Sequence, residues 1–151
     1  MAIEDTADRL MRIPPLDTLG REAARLIAFA ARPLALRMGE TLFEAGEAAD
    51  CGYAILSGAI RLDFPDGRTN TLGADRLLGE LALVVPMERD VKATVVAAGS
   101  ALRIERDAFL RVLGEYPDGA RRLQARLIER FGKLSRALSR TELGREAAGK
   151  T

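Results

Sequence analysis

The amino-acid sequence predicts a mainly β-type α+β domain, in which a small β-barrel or jelly roll is flanked by helices at both ends. Short apolar alternations separated by glycine-containing turns run from Leu34 to about Ile104, which is typical of a small barrel. Apolar residues at helical spacing precede this region and return after it. A chain of 151 residues with 48% hydrophobic content is long enough for one domain with a real core.

Two helices are predicted before the barrel, in a segment that we assign to residues 1–32. The first stops before Pro14-Pro15, because proline cannot continue a helix. The second is expected to begin at about Asp17 or Thr18 and to end at Ala31. We interpret both as helices that cover the core and carry no chemistry.

The predicted barrel spans residues 33–105 and contains about seven or eight short strands. Alternation of apolar and polar residues gives a strand one buried and one wet face, and it is clearest around Ile60, Leu62 and Phe64. Turns between strands are predicted at Ser57-Gly58 and at Gly99-Ser100. One helical turn is predicted inside the barrel region, at residues 79–84.

Helices are predicted again over residues 106–142, followed by a disordered tail at 143–151. A short helix is expected at Arg106–Leu113, and Pro117-Asp118 opens a long one that continues to about Arg140. Its apolar residues step by three or four, at Leu123, Leu127, Phe131, Leu134 and Leu138. This narrow stripe suits either a two-helix seam in a homodimer or packing onto the barrel.

Composition excludes several classes of function. Lys and Arg total 23 against 22 Asp and Glu, so there is no global charge to attract DNA or an anionic membrane. The single cysteine, Cys51, excludes an intramolecular disulfide, and the lack of histidine removes the commonest metal ligand and general base. Without a membrane-length apolar run or a signal-type N-terminus, we expect a soluble cytoplasmic protein.

The stretch from residue 78 to 94 is the strongest candidate for binding chemistry. Unpaired N–H groups of a first helical turn carry partial positive charge, and Gly79 lets a ligand approach them closely. Arg89 or Lys92 could neutralise a bound phosphate. The alternative is an ordinary surface turn in which Arg89 is only solvated.

The sequence contains only weak candidates for a catalytic site. The acid pairs Glu44/Glu47 and Glu88/Asp90 lie on apparent turns without a histidine, cysteine or metal-ligand partner, which favours solvated surface. Residues 144–151 match the P-loop pattern, but that pattern needs a strand before it and a helix after it. A helix or frayed tail precedes it here. We therefore predict no enzyme.

Five segments, in the same order and at similar spacing, resemble the cyclic nucleotide-binding domain. They are Arg37–Gly46, Tyr53–Gly58, Leu78–Leu83, Ala93–Val95 and Arg106–Phe109. The resemblance covers residues 16–140. It implies an eight-stranded double-stranded β-helix (jelly roll) that holds a phosphate-binding cassette, here residues 78–94, and a long C-terminal lid helix.

The resemblance also implies the ligand contacts. Gly79, Leu81 and Ala82 would offer backbone N–H groups to a cyclic phosphate. Glu80 would accept a hydrogen bond from the ribose 2′-hydroxyl. Ala93-Thr94, at the end of the cassette, would complete the binding residues. The implied ligand is cAMP or a related cyclic nucleotide, without a further cofactor.

The family's cassette arginine pairs with the phosphate, and two ways of counting give different positions for it. Counting forward from Glu80 selects Arg89, whereas counting back from Ala93-Thr94 selects Val91. The loop is two residues longer than in the first pattern, and Asp90 adds a negative charge beside the expected phosphate.

The lid helix supplies the family's purine contacts, and the matching positions here are Leu134-Ser135. Only Ser135 retains a hydroxyl, which indicates either a purine contact or a serine on a solvated face. About ten residues follow the lid, too few for a helix-turn-helix, so no DNA partner is expected. The resemblance implies a stand-alone sensor that signals to an unknown protein. A degenerate fold that serves dimerisation or docking is the alternative.

Overall fold

The structure is a computed structural model that describes residues 2–132. Helices α1 (Ile3–Leu10) and α2 (Arg21–Ala30) precede the barrel, with a 3-10 turn at Leu16–Thr18 between them. The predicted start of α2 at residue 17 or 18 was wrong. Gly20 has a φ of +94°, which interrupts the helical backbone between the turn and α2.

Within the described residues, eight strands follow the N-terminal helices. They are β1 Arg32–Leu36, β2 Thr41–Phe43, β3 Ala48–Ala49, β4 Cys51–Asp63, β5 Thr69–Leu72, β6 Arg76–Leu78, β7 Met87–Glu88 and β8 Lys92–Glu105. The main sheet has the order β1-β8-β4-β5, with β2 also on β8 and β6 also on β4, while β3 and β7 form a small separate sheet. All pairs are antiparallel, and the predicted jelly roll is confirmed.

Two predicted turns between strands were wrong. Ser57-Gly58 and Gly99-Ser100 lie inside the long strands β4 and β8, at places where the register between these strands shifts. Gly58 has a φ of +87°, and a Cβ on Gly99 would lie 2.2 Å from the Ser57 carbonyl oxygen. Glycine therefore allows a sharp bend and a close approach of two backbones, rather than a hairpin.

The apolar core has two parts. One fills the barrel and includes Phe43, Tyr53, Ile55, Ile60, Val91 and Val95. The other lies between the barrel and the helices and includes Leu10, Ile27, Leu83, Ile104, Phe109 and Leu123. The cassette sits where the two parts meet, because its 3-10 turn Leu81–Leu83 contributes Leu83 to the second part.

The chain after the barrel forms α3 (Arg106–Glu115) and then α4, which the structure describes over residues 117–132. The predicted stripe positions Leu134 and Leu138, the tail at 143–151 and the P-loop pattern lie outside the described residues. Across the described part of the chain, none of the helices is long and apolar enough to span a membrane.

Candidate functional site

A pocket of about 310 Å³ opens between the barrel, the cassette and α4. Five of the predicted site residues line it, namely Gly79, Glu80, Leu81, Ala82 and Arg89. Ala93 and Thr94 are not found among the lining residues: Ala93 is fully buried inside the barrel, and the Thr94 side chain has a buried hydroxyl without a partner. Ser135 lies outside the described residues.

A second, larger groove of about 630 Å³ lies between α3, α4 and the cassette turn. Its described walls are apolar apart from Gln124, with Leu113, Leu127 and Phe131 among them. Specific recognition of a small polar ligand needs a few convergent polar groups. The smaller pocket, which contains charged side chains, is therefore the candidate binding site.

Arg89 is the central side chain of that pocket and is only 7% exposed. Its Nη2 donates hydrogen bonds to the Cys51 carbonyl oxygen at 2.8 Å and to Cys51 Sγ at 3.3 Å. Its Nη1 points at Gly79 so closely that a Cβ there would lie 2.6 Å away. The guanidinium therefore faces the first turn of the cassette.

The backbone around Arg89 is held by two hydrogen bonds next to the small β3–β7 sheet. The Arg89 N–H donates to the Glu47 carbonyl at 2.7 Å, and the Gly46 N–H donates to the Arg89 carbonyl at 2.7 Å. Ala49 pairs with Met87 in the same sheet. These bonds fix the long cassette loop against the barrel just where Arg89 leaves it.

The charge of Arg89 is not matched by an acid. Within residues 2–132 its guanidinium forms no ion pair with a carboxylate, and its Nε and Nη1 donate no hydrogen bond. A buried cation is costly unless it is paired and its donors are satisfied. The pocket therefore offers an anion a buried positive charge with N–H groups to spare.

The cassette turn adds backbone donors. The Ala82 N–H donates to the Gly79 carbonyl at 3.1 Å, closing the 3-10 turn, so the donor predicted at Ala82 is already in use. The N–H groups of Gly79, Glu80 and Leu81 make no hydrogen bond to the described residues. Gly79 adopts a φ of +81°, a conformation that glycine tolerates and other residues rarely do.

Glu80 is 9% exposed and forms an ion pair with Arg130 of α4, with 3.0 Å between Oε1 and Nε. A second contact, from Arg130 Nη1 to Oε2, measures 3.4 Å. Burial raises the pKa of Glu80, while the nearby charges of Arg130 and Arg76 partly oppose this shift. The carboxylate predicted to bind a ribose hydroxyl is thus held by α4.

The two ways of locating the cassette arginine give different side chains in the structure. Both line the pocket, but Val91 is an apolar side chain that also belongs to the barrel core, whereas Arg89 brings a positive charge to the pocket. Lys92, the other predicted cation, pairs with Glu44 at 3.5 Å and lies away from the pocket wall. Asp90 is exposed and does belong to the wall, so a negative charge stands at the entrance.

Arg106, the first residue of α3, joins the cassette to the rest of the domain. Its Nη1 donates to the carbonyl oxygens of Ala49 at 2.8 Å, Ala82 at 3.2 Å and Val85 at 3.3 Å. The sequence contained a signal for it, since Arg106 opens the motif Arg106–Phe109. Its function as a clamp on the cassette was not predicted.

Other residues of the site escaped prediction because they are distant in the chain. Arg130 is 50 residues from Glu80, and Cys51 is 38 residues from Arg89. The rings of Phe43 and Tyr53 lie beside the Arg89 guanidinium, a contact that was not predicted from the sequence. Across the part of the chain that is described, no cluster of three or more acidic, cysteine or histidine residues could hold a metal ion.

A family model described as the cyclic nucleotide-binding domain matches residues 33–116, from the first barrel strand to the end of α3. The chain belongs to the cyclic nucleotide-binding domain family. The predicted family is therefore confirmed, and the pocket between barrel, cassette and α4 is the candidate binding site of this domain.

The domain is similar in sequence to bacterial regulators. It is 30% identical over 113 residues to the CRP-like cAMP-activated global transcriptional regulator of Mycobacterium tuberculosis, covering 72% of this chain and 50% of the relative. The chain thus spans about half the length of the curated relatives it matches.

Two solved structures are also similar. A cyclic nucleotide-binding-like protein from Brucella abortus shares 36% identity with a TM-score of 0.63, over 73% of this chain and 98% of that one. The N-terminal domain of a transcriptional regulator from Streptomyces coelicolor shares 29% identity with a TM-score of 0.74, over 87% of this chain and 95% of that one.

Proposed function

We propose that this domain is a cytoplasmic sensor that binds cAMP and passes the occupancy of its site to a partner protein. The observation that carries the proposal is the buried Arg89, whose Nε and Nη1 are free among the described residues and whose Nη1 faces Gly79 at the start of the cassette turn. Charge-assisted hydrogen bonds from such donors suit a phosphate. The name of the mycobacterial relative, a cAMP-activated regulator, supports cAMP as the ligand.

In this proposal the cyclic phosphate binds between Arg89 and the N–H groups of Gly79, Glu80 and Leu81. The ribose 2′-hydroxyl donates to Glu80, next to Arg130. The purine faces α4, and its predicted contact, Ser135, lies outside the described residues. A pocket of about 310 Å³ is near the lower end of the range for small-molecule sites, roughly 300 to 1,000 Å³, which favours one nucleotide over a cyclic dinucleotide.

The proposed role is binding rather than catalysis. A general acid or base must reach the reacting proton with a suitable pKa. Of the two acids on the pocket wall, Glu80 is engaged by Arg130 and Asp90 is exposed. Neither acid is therefore placed to act as a general acid or base, whereas Glu80 can accept a hydrogen bond from a ligand hydroxyl.

The output of the sensor is proposed to run through α4. This helix carries Arg130 at the site and also forms one wall of the apolar groove of about 630 Å³. Ile128, on the same helix, is 62% exposed. An apolar surface of this kind suits contact with a second copy of the domain or with a protein partner. If α4 changes position when the ligand binds, the apolar surface exposed to that partner changes as well.

Asp90 favours the second candidate, a docking module that has lost its ligand. A like charge beside the phosphate opposes binding, by about 0.7 to 4 kcal/mol for charges 4 to 6 Å apart, depending on the effective dielectric. In that case the domain would act through its apolar surfaces alone.

Calorimetric titration with cAMP, cGMP and a cyclic dinucleotide separates the two functions. The proposal expects saturable binding of cAMP, weaker or no binding of the dinucleotide, and a loss of about tenfold or more in Arg89→Ala. Arg61→Ala is the matched control, because Arg61 pairs with Asp63 on β4 and lies outside the pocket. A folded wild-type protein that binds none of the three ligands would favour the docking module.

A further inference from the structure

The guanidinium of Arg89 lies over an aromatic ring. Its Cζ is 4.3 Å from the centroid of Phe43 and 5.8 Å from that of Tyr53. The two rings are themselves stacked, with centroids 6.2 Å apart and an angle of 27° between their planes. Phe43 and Tyr53 are 5% and 4% exposed, so the contact is shielded from water.

A cation over a ring face is attracted by the negative face of the aromatic quadrupole, and the attraction is larger when water is excluded. The N–H donors of a guanidinium all lie in its plane, whereas an aromatic ring stacked on it contacts only one face of that plane. Phe43 can therefore stabilise the charge of Arg89 without using any of its N–H groups. A carboxylate partner would occupy those donors and compete with an incoming anion.

The fold explains why Phe43 is available for this contact. Phe43 ends β2, where it pairs with Ala93 of β8, and the register of the pair is irregular at this point. Ala93 is fully buried and small, which leaves room in the barrel for the ring and the guanidinium. Phe43 is also part of the pocket wall.

We propose that Phe43 is a positioning residue, which holds the plane of the Arg89 guanidinium against the cassette turn and thereby sets the affinity of the site for its anion. Tyr53 backs the ring from a greater distance. This inference rests on the proposed function, since it concerns the same phosphate site, and it assigns the orientation of the arginine to one side chain of β2.

The test measures cAMP affinity by calorimetry and stability by thermal unfolding for Phe43→Leu and Phe43→Tyr, each in the wild-type and Arg89→Ala backgrounds. Phe43→Leu removes the ring but keeps an apolar side chain, and should weaken binding about 3- to 30-fold. Phe43→Tyr keeps the ring and should retain affinity within about twofold. In the Arg89→Ala background, Phe43→Leu should have no further effect on affinity.

The outcomes separate this inference from the proposed function. If the folded wild-type protein binds no cyclic nucleotide, the proposed function fails and the inference with it. If it binds, but Phe43→Leu leaves the affinity unchanged or lowers it equally in both backgrounds, only the role of Phe43 is overturned.

Because Phe43→Leu leaves a space in the core, it could weaken binding by destabilising the fold. A second variant separates that effect from the loss of the cation–ring contact. The substitution Phe43→pentafluorophenylalanine keeps the shape of the ring and removes its negative face. Weaker cAMP binding by this protein, with an unchanged unfolding midpoint, supports the inference, whereas affinity equal to that of the wild type overturns it.

Discussion

The Glu80 carboxylate and the Arg130 guanidinium form an ion pair, with Oε1 and Nε 3.0 Å apart, that joins the cassette to α4. The Glu80 side chain is 10% exposed and that of Arg130 is 54% exposed, so the acid is the buried partner. A ligand that donates a hydrogen bond to the Glu80 carboxylate shares that carboxylate with Arg130. Binding at the site and the position of α4 are therefore physically connected.

Arg130→Ala should loosen α4. Removing the cation leaves a largely buried carboxylate without its partner, at a cost of about 1 kcal/mol in the free energy of unfolding, given the exposure of Arg130. Hydrogen exchange over residues 117–132 should become faster. Arg121→Ala is the control, because Arg121 lies on the same helix and, among the described residues, pairs with the exposed Asp118. Equal exchange in the two variants would mean that the ion pair does not hold the helix.

The buried Glu80 should make stability and binding respond to pH in opposite directions. Burial raises its pKa above the usual value for glutamate, about 4.3. Its contribution to stability is therefore present below about pH 4.3 and is lost as the pH rises through the raised pKa. Nucleotide binding needs the carboxylate as an acceptor, so affinity should rise over the same window.

Glu80→Gln tests both halves of this prediction. In unfolding measurements the wild-type protein should lose stability relative to Glu80→Gln between about pH 4.3 and neutrality. In titrations the dependence of cAMP affinity on pH should flatten in the variant. Parallel stability curves for the two proteins would show that Glu80 has an ordinary pKa in the folded state.

Asp90→Ser should tighten cyclic nucleotide binding, or create it where none is detected. The substitution removes a negative charge from the pocket wall and introduces a possible hydrogen-bond donor. Asp66→Ser is a suitable control, because Asp66 pairs with Arg68 on an exposed turn away from the pocket. Weaker binding in Asp90→Ser would mean instead that Asp90 supports the loop that carries Arg89.

Arg106→Ala should disturb the cassette without touching the ligand. The variant loses donors to three carbonyl groups, which join β3 and the cassette turn to the start of α3. We expect a loss of about 1 to 3 kcal/mol in the free energy of unfolding, measured with urea. Hydrogen exchange should become faster at residues 79–85. Arg106→Lys should recover part of the loss, since one ammonium can reach some of these oxygens. A cassette that exchanges at the wild-type rate in Arg106→Ala would contradict the clamp.

Much of the architecture could be predicted because it depends on local patterns. The period-2 alternation around Ile60 and Leu62 and the helical spacing after Pro117 predicted the barrel and α4. The errors occurred at glycines, because a glycine can form a turn between strands and can equally bend a continuous strand or end a helical turn. Gly58 and Gly99 read as turns, but they bend continuous strands, and Gly20 ends a turn that read as the start of α2.

The sequence alone determined the family and the jelly roll, and it predicted a contiguous candidate site from Gly79 to Ala82, because these depend on neighbours within a few positions of one another. Only the tertiary structure decided which side chains complete the site. Arg89 meets Phe43 and Cys51 because the β3–β7 sheet and the register of β2 on β8 bring three separate segments together. Glu80 meets Arg130 because α4 packs over the cassette. Such contacts depend on strand register and helix packing, which local periodicity does not encode.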